Sequence, residues 1–167
     1  YSGGARPEQV VTTHPTATTA QNGPNSGDTT TSVYDIYGQE TWTKDGDGFL
    51  RYREYDVLTG ALTKLIVDVD TAQTGTFSGL PSGWTTPTGG GLHLTTLVEV
   101  DGLGRTTRQV DAGGSVTFTV YNDPAHEVRT YRGWNPTTGT TTGPIEIARE
   151  YRPTTPVGTA TTMVYRE

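Results

Sequence analysis

The chain has 167 residues, a net charge of −6, 22 Gly, 10 Pro, no Cys and only 31% apolar residues. The absence of Cys excludes disulfides, thiolate metal sites and cysteine nucleophiles together, and with 12 basic against 18 acidic residues there is no basic stripe to neutralise nucleic-acid phosphates. No apolar run approaches the roughly 18 residues of a membrane-spanning helix.

Residues 1–32 are rich in Thr, Gly and Pro and read as an extended segment, either a linker or a strand offered to a neighbouring subunit. Strands are predicted at 41–44 and 49–55, separated by the turn Gly46-Asp47-Gly48. Next come Leu65, Val67 and Val69, which alternate with Lys64, Ile66 and Asp68 and so put two sets of side chains on opposite faces. After an insert loop at 71–91, Leu92, Leu94, Thr96, Val98 and Val100 form one stripe, with His93, Thr95, Leu97 and Glu99 behind it. A strand at 106–110 and the turn Ala112-Gly113-Gly114 lead into Val116, Phe118 and Val120, which face away from Thr117, Thr119 and Tyr121. Further strands are predicted at 127–131, 145–151 and 161–165, with a second insert loop at 132–144. No segment carries a helical stripe. The expected fold is all-β, a meander of short antiparallel strands built as stacked hairpins over 33–167.

The predicted turns recur. Tyr34-Asp35 with Gly38 is followed about 21 residues later by Tyr55-Asp56 with Gly60. Val100-Asp101 with Gly104 and Arg105 is followed at the same spacing by Tyr121-Asn122. An Asp or Asn side chain can bond the backbone two residues on and fix the bend, while the preceding Tyr packs over the neighbouring strand. At these residues the chain resembles the YD-repeat, or RHS-repeat, family of large bacterial surface proteins. The resemblance covers 33–70 and 94–131, with a fainter echo at Glu150-Tyr151-Arg152. Asn122 stands where the family pattern has Asp, and Val100 where it has Tyr. In relatives of this family such sheets wind into a hollow shell, and the resemblance implies stacked hairpins and a cell-surface or extracellular setting. The family's self-cleaving aspartyl motif is matched here only by Asp123-Pro124, so that activity is not carried over.

Few residues point to chemistry. His14, His93 and His126 are far apart in the chain, and a metal site would require them to converge. Asp45-Gly46-Asp47-Gly48 has alternating acids but lacks the third acid and the downstream Glu of a calcium loop. Asp68 and Asp70 share a strand parity and read as solvent-facing acids. No nucleophile elbow and no phosphate loop is present. Trp84 and Trp134 lie in Gly/Pro-rich loops, where exposed rings could stack on sugars; each would otherwise plug the sheet. The N-glycosylation motif with a permitted middle residue does not occur.

The expectation is a structural, non-enzymatic element of an extracellular or cell-surface assembly, without cofactor, whose partners are copies of itself joined through strand edges. Carbohydrate binding, with cell-surface polysaccharide as partner, and membership of a toxin-enclosing shell are the alternatives. The chain begins at Tyr1 rather than Met and reads as a processed product or a piece of something longer. Its last residues Tyr165-Arg166-Glu167, followed by another Tyr1-Ser2-Gly3, would repeat the Arg-Glu-Tyr of 53–55, as a tandem unit would.

Overall fold

The structure, a computed structural model, describes residues 8–23, 25–151 and 161–166. It is all-β among these residues: apart from two single-turn 3-10 helices, the regular elements are strands. The chain divides into two compact units, one of Tyr1–Asp56 with Leu62–Thr95 and the other of Val57–Ala61 with Thr96–Glu167.

The first unit holds β1 (Gln9–Thr13), β2 (Thr29–Tyr34), β3 (Glu40–Lys44), β4 (Leu50–Tyr55) and β5 (Leu62–Val67), each antiparallel to the next. The second runs β6 (Leu94–Val100), β7 (Thr106–Val110), β8 (Val116–Asn122) and β9 (Glu127–Arg132). A small ribbon of β10 (Trp134–Asn135) and β11 (Thr140–Thr141) follows. The sheet then continues with β12 (Ile145–Tyr151) on β9 and β13 (Thr161–Arg166) on β12. β6 starts within the last residues of the first unit. The pairings of β2 with β3, β3 with β4, β4 with β5, β6 with β7, β7 with β8 and β8 with β9 each join consecutive strands across short turns, which can set their register.

β1 and the first four residues of β2 lie in the segment read as extended. Neither shows an apolar stripe: β1 is exposed along its whole length and β2 opens with three Thr and a Ser, so period-two alternation gives no signal there. Gln9–Thr13 pairs with β2 of its own chain.

The first unit has a closed core. Trp42, Leu50, Tyr52, Ile66, Val69 and Trp84 are buried together, with Val33, Phe77 and Leu80 packed against them. Trp42 sits at the centre, its ring 4.9 Å from Tyr52, 5.3 Å from Phe77 and 6.4 Å from Trp84. Phe77 and Trp84 come from the long insert after β5, which therefore roofs one face of the sheet. Its ends are pinned: the buried Asp68 carboxylate accepts the Gly91 and Leu92 N–H groups at 2.8 and 2.9 Å, and the Asp68 carbonyl accepts the His93 N–H. This arrangement sets the inner face of β5, and it is not the Leu65 and Val67 stripe. Ile66 points into the core, Leu65 and Val67 are only half-buried, and the strand ends at Val67. Asp68, with φ +55°, turns the chain and breaks the alternation, which brings Val69 back to the core.

Candidate functional site

Four connections between strands share one construction. Asp35, Asp45, Asp101 and Asp111 each donate their N–H to the carbonyl four residues on, at 2.9 to 3.1 Å, and each carbonyl accepts the N–H of the glycine three residues on. Those glycines, Gly38, Gly48, Gly104 and Gly114, have φ between 78° and 89°, the left-handed region where a Cβ is disfavoured. The Asp carboxylate completes the turn from within. Oδ1 of Asp35 accepts the Tyr37 and Gln39 N–H groups, Oδ1 of Asp101 those of Leu103 and Arg105, Oδ1 of Asp111 those of Gly113 and Ser115, and Oδ1 of Asp45 that of Phe49. Backbone donors reaching a carboxylate favour its charged form, and the Arg105 N–H foremost holds the Asp101 pKa below its ordinary value.

A second regularity follows two of these turns, those at Asp35 and Asp101, and also the turn from Asp56 to Gly60. The register slips by one residue between Val33 and Tyr34, between Glu54 and Tyr55 and between Glu99 and Val100, which leaves Thr41, Thr63 and Thr107 as the extra residue on the returning strand. Each of these threonines donates its hydroxyl across the bulge, to Val33 O at 3.3 Å, Glu54 O at 3.1 Å and Glu99 O at 3.2 Å. The sequence signal is Gly-x-x-Thr after the turn glycine, at Gly38, Gly60 and Gly104. It was available to sequence reasoning but hidden among the many other threonines.

The Tyr of the repeat has a defined task at two positions. Tyr55 donates its hydroxyl to Glu40 O and Tyr121 donates to Thr106 O, both at 3.0 Å, tying the end of each strand to the start of the strand before it. Burial pushes the Tyr55 phenol pKa up. Tyr34 is half-buried at the end of β2, and Gly60 again has positive φ, +71°, after Asp56. Asn122 is the last residue of β8 and pairs with Glu127. The turn bond beyond it is made by Asp123, whose carbonyl accepts the His126 N–H, with His126 at φ +49° in the glycine's place. Arg105 clamps this end of the second unit. Its guanidinium lies 4.2 Å from the Tyr121 ring centre and binds the Asp101 and Asp123 carboxylates at 2.8 and 2.6 Å. The hydrogen bonds it donates to Asp123 and then Asp101 raise its pKa further.

The two residues at each turn tip differ from turn to turn. Tyr37 in the first unit, and Val57, Leu58 and Leu103 in the second, are exposed, as is Ile36 at 85%, with Leu58 at 94%. The tips of the turns at Asp45 and Asp111 are Gly46-Asp47 and Ala112-Gly113. Turn chemistry favours small or polar residues at such tips, so the apolar tips are not explained by the turns themselves.

The other singled-out residues are accounted for locally. Trp84 is 8% exposed and belongs to the core, which leaves no free ring face for a sugar. Trp134 is half-buried, stacked on Phe118 at 5.4 Å and edge-on to Tyr131 at 5.6 Å. His14 bonds Thr30, whereas His93 accepts the Asp70 N–H on Nδ1 and bonds Thr76 through Nε2. Asp70 binds Ala72 N–H and Gln73, chiefly the former lowering its pKa. Buried Glu127 binds the Arg149 and Arg129 guanidiniums and is lowered by them in that order. Glu127 and both arginines lie in the second unit, where a groove of about 370 Å³ is lined by Arg105, Tyr121, Glu127 and Arg149. Among the described residues no three acidic or His side chains gather as a metal-ligand set, and no helix is long and apolar enough to cross a membrane.

A scan against protein-family models gives no match to this chain, and a search of curated proteins gives none either.

Proposed function

We propose that this protein is a structural building block of an extracellular filament, sheath or surface assembly, polymerising through strand edges and carrying out no chemistry of its own. The observation that carries the reading is the repeated hairpin. Equivalent hydrogen bonds recur 66 positions apart, from Asp35 to Asp101, Asp45 to Asp111, Thr41 to Thr107 and Tyr55 to Tyr121. A module whose register is set wholly by local turns can be added to indefinitely, because each new hairpin needs only the edge of the last. The same module is what the resemblance to YD-repeat proteins describes, and that family's surface setting supports placing this chain outside the cell or on its surface.

Two surface features support assembly. The apolar turn tips lose unfavourable hydration only when another surface covers them, and the strand orders end in edges able to accept a further strand. Electron microscopy of the full chain over a range of concentrations tests the proposal. Filaments or sheets with a regular axial repeat are expected; particles that remain single at every concentration would count against it.

A further inference from the structure

Resting on the assembly reading, we infer that the outer edge of β1 is the acceptor at which a second copy of this chain adds its own terminal strand, β13. The hydrogen-bond parity of β1 is determined by its two flanking bonds. Tyr34 N–H donates to Glu8 O and His14 N–H to Asp28 O, both at 2.8 Å, and Val10 and Thr12 lie opposite Ser32 and Thr30 between them. In an antiparallel pair the bonded positions alternate. Glu8, Val10, Thr12 and His14 therefore bond β2, and the N–H and C=O groups of Gln9, Val11 and Thr13 point outward to the open side.

Natural edge strands are commonly blunted by a charge, a proline or a bulge. β1 has none of these: its sequence is Gln-Val-Val-Thr-Thr, its pairing with β2 runs through five residues without a register shift, and all five are exposed, Val11 at 58%. The donor is assigned from the other end of the chain. β13 closes the strand order with β12 as its single neighbour among the described residues. Among the described residues one chain thus carries two different open edges. Joining unlike edges head to tail leaves a free edge after every addition and gives an open-ended polymer, whereas β1 pairing with β1 would stop at a dimer. The N-terminal segment then serves a neighbour as a template laid on its own sheet, rather than as an arm inserted into the neighbour.

The parity makes the test specific to one residue. Val11→Pro removes an N–H that points away from β2, so amide exchange at Val10 and Thr12 is expected to stay protected while assembly of the pure variant, followed by electron microscopy and sedimentation, is lost. Its β13 is intact, so a few per cent of Val11→Pro chains mixed into wild-type protein should cap growing ends and shorten the filaments. Val11→Lys, which keeps the backbone N–H and puts a charge on the edge, should do the same and serves if the proline variant loses β1. Variants that polymerise as well as wild type would overturn the assignment of β1 while leaving the assembly reading intact. Variants that stay monomeric yet leave wild-type filament length unchanged would overturn the head-to-tail pairing. Wild-type chains that never assemble would overturn both.

Discussion

The two units use the same turns and bulges but reach different degrees of closure. At the centre of the first unit Trp42 faces Tyr52 across β3 and β4, beneath a roof made by the insert after β5. The positions 66 residues later are Arg108 and Phe118, paired across β7 and β8. Arg108 binds Glu99 at 2.5 Å but has its Nε buried without a hydrogen-bond partner, and Phe118 is only half-buried. The second unit's own insert contributes Trp134 to an aromatic trio with Phe118 and Tyr131, and Ile147 is buried in the same unit. Hairpin grammar thus determines which strands pair, whereas the length and composition of an insert determine whether the resulting face is closed.

This contrast is broken most directly in the two centres. Trp42→Ala should cost about 3–5 kcal/mol, as for other buried aromatic truncations, while Phe118→Ala, starting half-exposed, should cost about 1–2 kcal/mol. Urea unfolding with exchange read separately for each unit measures both, and equal losses would show that the second unit is as closed as the first. A smaller effect tests the turns. Gly114→Ala should cost about 1–2 kcal/mol from its positive φ alone, because nothing lies within 4 Å of the added Cβ. Gly104→Ala should cost more, since its Cβ would come within 3.1 Å of Thr59 Cβ and 3.5 Å of Ala61 Cβ. Smallest is the bulge bond. Thr41→Val and Thr107→Val should each cost about 1 kcal/mol, the usual net value of one hydrogen bond. Similar losses at both sites, read from denaturation midpoints, would show that the bulge works alike under a closed face and an open one.

Local chemistry was legible in the sequence and made most of the fold legible with it. Asp, a glycine three residues later and an alternating strand suffice to specify a hairpin, and so β7 and β12 fall where alternation puts them, with β3, β4, β8 and β9 shifted by no more than a residue at either end. The Tyr-Asp spacing pointed to the turns, although the hydroxyl bonds of Tyr55 and Tyr121 and the bulge threonines needed the strand register before their partners could be named. β1 and β2 escaped notice because a strand exposed on both faces, or made of Thr, carries no apolar alternation.

By itself, then, the sequence determined an all-β chain of antiparallel hairpins, because turn formation depends on residues within five positions of one another. Only the tertiary structure decided which face of β5 is inside, that Trp84 belongs to the core, and that Gln9–Thr13 lies on its own sheet, last in the strand order among the described residues. Those outcomes depend on what an insert of more than twenty residues covers and on which strand stands last in a sheet. Such contacts join residues far apart in the chain, and no local pattern encodes them.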